Sequence, residues 1–225
     1  MNQRFLMCLL VLAASAANAQ TTVIRAGRLI DPETGRAATN QMIVVQGDKI
    51  TAVGVNLEVP KDATVIDLSK ETVLPGLVDA HTHLGLTYKD IPENNYYYLT
   101  YVMESTPLRA IEAASNGIQL LNSGFTVVRD LGNNALYTDT AHRMAIEQGW
   151  IPGPTIINSG LIIGGMGGQF WPTPEMAIGK SIVYPEYLDA DTRDEMVKAI
   201  RQNLLFGARV IKICVDCKPW GYTTD

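Results

Sequence analysis

Residues 74–84 read Leu-Pro-Gly-Leu-Val-Asp-Ala-His-Thr-His-Leu, an apolar run that ends in two histidines one residue apart. Along a β-strand successive side chains alternate between faces, so His81 and His83 project to the same side. Neutral imidazole is a common ligand for zinc and related divalent ions, and a catalytic ion keeps one position open for water. The pair is a candidate half of a metal site. By themselves two histidines lack the third and fourth ligands that define one, so the surrounding sequence has to decide.

Upstream, short β-like runs begin at Thr22, Met42, Lys49 and Thr64, punctuated by the turn signals Asp31-Pro32, Gly47-Asp48 and Val59-Pro60. They predict a small antiparallel β unit over residues 20–72. Downstream the pattern changes to apolar strands alternating with amphipathic segments, as expected of βα units and a parallel sheet. Strands are expected at 74–83, 126–130, 155–158 and 209–214, with helices at 107–122, 139–148 and 192–206. Gly124, Gly149 and Gly207 stand just after those helices, where helix-ending glycines belong. The fold class is α/β: four strands and three intervening helices make the N-terminal half of a (β/α)8 barrel. A whole barrel takes about 250 residues, so the barrel part, residues 73–225, reads as truncated after strand four.

Hydrophobic residues at 47% and charged residues at 18% exclude a disordered chain or a disulfide-dense miniprotein. A net charge of −5 without Lys/Arg runs gives no support to nucleic-acid binding. At the N-terminus, Arg4, an apolar run and Ala17-Asn18-Ala19 have the layout of an export signal, cleaved after Ala19. The run is too short for a stable membrane anchor. A periplasmic or secreted destination follows. In that oxidising setting Cys214 and Cys217 have disulfide-compatible spacing. Lys218-Pro219, however, stands where a redox motif would open a helix, which favours a buried Cys214 with Cys217 incidental.

The run 74–84 after a β unit, with Gly124-Phe-Thr-Val-Val-Arg-Asp-Leu-Gly132 and Gly207-Ala-Arg-Val-Ile-Lys-Ile213, resembles the metal-dependent amidohydrolase superfamily in its imidazolonepropionase-like and prolidase-like branch. The resemblance implies a TIM barrel beside a composite β-sandwich and a site for two divalent cations, zinc first among them. His81 and His83 would hold one ion, and Lys212, carboxylated by carbon dioxide, would bridge both. Alternation along 210–214 is consistent with this: it puts Lys212 on the face opposite Ile211 and Ile213, where an unpaired ammonium inside a barrel would be costly. The family's further histidines on strands five and six, and its strand-eight general-base aspartate, would lie beyond Asp225. His142 reads as a helical packing or surface residue.

Arg129 adjoins Asp130 at the end of the second strand, so it either pairs locally or reaches a substrate carboxylate. Met166 sits in the glycine-rich run 160–168, where the resembled enzymes carry a histidine, and is the other candidate substrate contact. Tyr96, Tyr97, Tyr98 and Tyr101 could pack or line a lid. The activity implied is hydrolysis of a small-molecule amide or dipeptide, an N-acyl amino acid or Xaa-Pro dipeptide, by metal-activated hydroxide. The alternatives are a cyclic amidohydrolase of the imidazolonepropionase type, or a catalytically incompetent fragment or binding protein. A homo-oligomer is compatible with the sequence.

Overall fold

The computed structural model describes residues 20–87, 104–132, 135–165 and 187–214. The chain divides into two compact units that meet in sequence between Pro75 and Gly76. Tyr96, Tyr97, Tyr98, Tyr101, Met166 and Cys217 lie outside the described residues.

The first unit is a four-stranded sheet of β1 (Thr21–Ile30), β2 (Ala37–Gln46), β3 (Lys49–Gly54) and β4 (Thr64–Val73), in the order β3-β2-β1-β4. Gly47, at φ 62°, turns the β2–β3 hairpin. The expectation of a purely antiparallel unit fails at β4, which runs parallel to β1. The link between β3 and β4 is a crossover: it returns the chain to the far side of β1, so β3 and β4 run the same way. Paired on both sides, β1 supplies the buried Val23 and Ala26.

In the second unit β5 (Leu77–Thr82), β6 (Phe125–Asp130) and β7 (Thr155–Asn158) form a parallel sheet in that order. Helix α1 (Thr106–Asn122) links β5 to β6, and α2 (Thr138–Glu147) links β6 to β7. Ser105 caps α1 by accepting the amide of Leu108. Helix α3 (Arg193–Leu205) opens with a capping box in which Thr192 and Glu195 satisfy each other's amides. Gly124, Gly149 and Gly207 all have positive φ, as a helix-ending residue requires.

Leu84, Ala113, Val128 and Ile156 form the core between this sheet and its helices, with Leu120, Phe125 and Ile146 packed against it. Alternation is clean on β6 and β7: Val128, Asp130, Ile156 and Asn158 are buried, whereas Arg129, Thr155 and Ile157 are exposed. One face is thus covered by helices. On the other, among the described residues, Val78 is 65% exposed.

Strand β8 (Ile162–Gly164) follows β7 directly and pairs in parallel with β9 (Tyr187–Asp189). Residues 209–214, expected as a full strand, make only an isolated parallel bridge between Ile163 and Ile213. The cause is Asn158, whose carbonyl accepts the amides of both Arg209 and Val210, at 2.8 and 3.2 Å. Two donors on one acceptor do not start a regular ladder. Ile211 packs toward α3 against the cluster of Ile163, Ala190 and Ala199, whereas Ile213 is 48% exposed, so the two do not share a face as expected. Cys214 is buried and disulfide-bonded, where a plain buried thiol was expected.

Candidate metal centre

His81 and His83 stand at the end of β5 with ring centroids 5.0 Å apart and planes inclined at 66°. His83 donates from Nδ1 to the Gly132 carbonyl at 3.0 Å. That bond fixes the tautomer and leaves Nε2 as the lone-pair nitrogen, the arrangement a metal-binding histidine needs. Both imidazoles have pKa values below the ordinary histidine value, which favours their neutral form. For His83, burial is the main cause of its lowered pKa; the Gly132 bond opposes it, and the charges of His81 and Lys212 add to it. For His81 the order is desolvation, then Lys212, then Arg129, with Asp79 pulling the other way.

Lys212 is half-buried, and its carbonyl accepts the amide of Ile163 at 3.0 Å. Its positive charge acts on both imidazoles, so the third expected residue shares their electrostatic neighbourhood. Among the described residues no cluster of three or more His, Cys, Asp and Glu could hold a metal.

The loop after His83 is held by Asp130, which the sequence offered only as a partner for Arg129, and by Arg109 and Asn116, which the sequence reading did not single out. Asp130, 1% exposed, accepts the amide of Leu84 through Oδ1 at 3.0 Å. Burial raises its pKa well above the usual carboxylate range, against the Leu84 bond and helped by the nearby Asp139. From α1, Arg109 Nε donates to the Gly85 carbonyl at 2.9 Å, and Asn116 Nδ2 donates to the Leu84 carbonyl at 2.8 Å. The signal for Arg109 was present: it falls four residues before Ala113 and eight before Gly117, on the buried stripe of the helix.

Arg129 and Asp130 face opposite ways, so the local pair considered for them does not form. Arg129 Nε instead donates to the Ala80 carbonyl at 2.8 Å. His142 lies on α2, 4% exposed, with neither ring nitrogen hydrogen-bonded. Burial lowers its pKa to about 4, so it is a neutral packing residue. No helix among the described residues is long and apolar enough to cross a membrane.

Residues 72–218 match the Amidohydrolase family. A dihydroorotase of Geotalea daltonii is 44% identical over 70 residues, 30% of this chain and 16% of that protein. An imidazolonepropionase of Alkaliphilus metalliredigens is 34% identical over 122 residues, 44% of this chain and 29% of that protein. The crystal structure of a Xaa-Pro dipeptidase with methionine bound in its active site superposes with a TM-score of 0.72 at 30% identity, covering 86% of this chain and 47% of that one. The chain thus spans about half the length of that solved relative and less of the two enzymes. With the family match covering most of its length, and an α/β unit that follows the solved relative's fold, the chain belongs to the amidohydrolase family.

Proposed function

We propose that this chain contributes His81, His83 and Lys212 to a binuclear metal centre that hydrolyses a small-molecule amide. The observation that carries the reading is the β5 pair itself: its ring centroids lie 5.0 Å apart, and His83 Nδ1 donates to the Gly132 carbonyl so that Nε2 is left as the lone-pair nitrogen, with the Lys212 charge near enough to act on both rings. The donor chemistry fits a divalent cation: two neutral imidazoles on one side of a strand, one with its tautomer fixed by the Gly132 carbonyl. As an ammonium, Lys212 would repel a cation; carboxylated, it becomes an anionic oxygen ligand. Bound there, divalent cations such as zinc supply Lewis acidity toward a carbonyl and acidify water near neutral pH.

The chain's own residues supply the frame for that chemistry. His83 is oriented by Gly132, and the backbone beyond it is fixed by Asp130, Arg109 and Asn116. In enzymes of this family the general base and the remaining ligands come from later strands of a (β/α)8 barrel, to whose first strands and helices the β5–β7 sheet with α1 and α2 corresponds. Similarity to a Xaa-Pro dipeptidase over 86% of the chain supports a dipeptide or N-acyl amino acid as substrate. The second reading, a cyclic amide, is favoured by the dihydroorotase and imidazolonepropionase similarities. Residues 1–19 serve as an export signal in either case.

The test is metal analysis of the full-length protein, with a labelled-bicarbonate NMR measurement for a lysine carbamate. Activity is then assayed on Xaa-Pro dipeptides, N-acyl amino acids and cyclic amides. We expect two ions per chain and a carbamate signal that disappears in Lys212→Ala together with activity. A metal-free active protein, or Lys212→Ala with full activity, overturns the reading.

A further inference from the structure

The pairing of β5 with β6 slips beside the histidines. Asp79 lies opposite Val128 and Thr82 opposite Asp130, so three steps along β5 match two along β6. The extra residue is a β-bulge, which bends a strand and shifts the phase of its side chains. Residues in register on parallel strands share a face, and Val128 and Asp130 both belong to the helix-covered face. Asp79, at the Val128 position, starts on that face. Unbroken alternation from Asp79 would therefore carry His81 and His83 onto the covered face too. The bulge instead puts Thr82 at the covered position, 9% exposed, and turns both histidines away from it.

Two side chains take the backbone groups at the bulge. Asp79 Oδ1 accepts the amide of His81 at 3.0 Å, and Arg129 Nε donates to the carbonyl of Ala80 at 2.8 Å. They act on the two sides of the same peptide unit, from the residue that precedes the slip and from the neighbouring strand. Bulges need such support because the ladder no longer satisfies the groups involved. We infer that Asp79 and Arg129 are positioning residues that clamp the Ala80–His81 bulge and thereby set the side of the strand from which His81 and His83 project. Arg129 then acts through backbone rather than by gripping a substrate carboxylate. The inference rests on the metal reading only for its functional consequence; the clamp itself is a statement about strand phase.

The test uses Asp79→Ala, Asp79→Asn and Arg129→Met in the full-length protein, each checked for native circular dichroism. Two quantities are measured: zinc affinity by competition with a chelating dye, and the rate at which diethyl pyrocarbonate modifies His81 in metal-stripped protein, located by mass spectrometry. Asp79→Asn keeps the acceptor oxygen and should behave as the parent. Asp79→Ala and Arg129→Met should each lose at least about tenfold in zinc affinity and change the His81 modification rate severalfold. Parental values of both quantities in those two variants overturn the clamp. If the parent itself binds no zinc, the metal reading fails, and the His81 modification rates alone decide for or against the clamp.

Discussion

Asp130 Oδ1 accepts the amide of Leu84 at 3.0 Å from a fully buried position, tying the end of β6 to the first residue after His83. Because its pKa is raised above the ordinary carboxylate value, ionisation of Asp130 opposes folding. The sign is fixed by linkage: the folded state holds this proton more tightly, so stability from this group is complete below the unfolded pKa of 3.8 and falls as pH rises toward the folded value. Asp130→Asn keeps an acceptor and cannot ionise. It should match or exceed the parent in urea unfolding at pH 7. Asp130→Ala strands the Leu84 amide and should lose about 1–3 kcal/mol.

His142 gives the opposite dependence. Its pKa falls from 6.5 unfolded to about 4 folded, so between those values the unfolded chain binds a proton that the folded one does not. Stability should be complete above pH 6.5 and decline as pH falls toward 4, by roughly 3 kcal/mol at about 1.4 kcal/mol per pH unit. Urea midpoints of the parent and of His142→Leu, compared at pH 7 and 4.5, check this. The parent should lose much more than the variant on acidification.

The same ring limits its neighbour. A Cβ built on Gly117 meets His142 Cε1 at 2.8 Å, in the middle of α1. Exchanging an ordinary helical glycine for alanine gains up to about 1 kcal/mol. Here Gly117→Ala should lower the melting temperature, and adding His142→Ala to it should recover most of the loss. A double-mutant cycle with no coupling would contradict the contact.

Asn158, fully buried, is a hub. Its side chain accepts from Arg143 Nε at 3.0 Å and donates to Thr140 Oγ1 at 2.8 Å and the Gly207 carbonyl at 3.3 Å. Asn158→Leu should cost about 2–4 kcal/mol, because Arg143 Nε loses its acceptor at a buried site where water cannot replace it. Since the backbone of Asn158 also holds Arg209 and Val210, hydrogen exchange should accelerate at those amides.

If residues 1–19 are an export signal, N-terminal sequencing of the protein recovered from its native host should begin at Gln20. An intact Met1 would remove the periplasmic or secreted assignment.

Local patterns made much of this chain legible. Helices α1, α2 and α3 lie within one residue of the spans expected from their periodicity and caps, because a Ser105 or Thr192 cap and a left-handed glycine are decided within one turn. The pairing of His81 with His83 was equally local, since alternation holds between them even though it fails between Asp79 and His81 across the bulge. Long-range consequences were hidden. The parallel docking of β4 depends on where a crossover lands, and the loss of a regular strand at 209–214 depends on a carbonyl about fifty residues earlier.

Alternation along β5 could say that His81 and His83 agree with each other, but not which face they share. That choice belongs to the register against β6 and to the bond from Arg129 to Ala80, a pair separated by 49 positions. Periodicity is a property of neighbouring residues and survives translation along the strand. Absolute phase needs a second strand to measure it against, and only the folded chain supplies one.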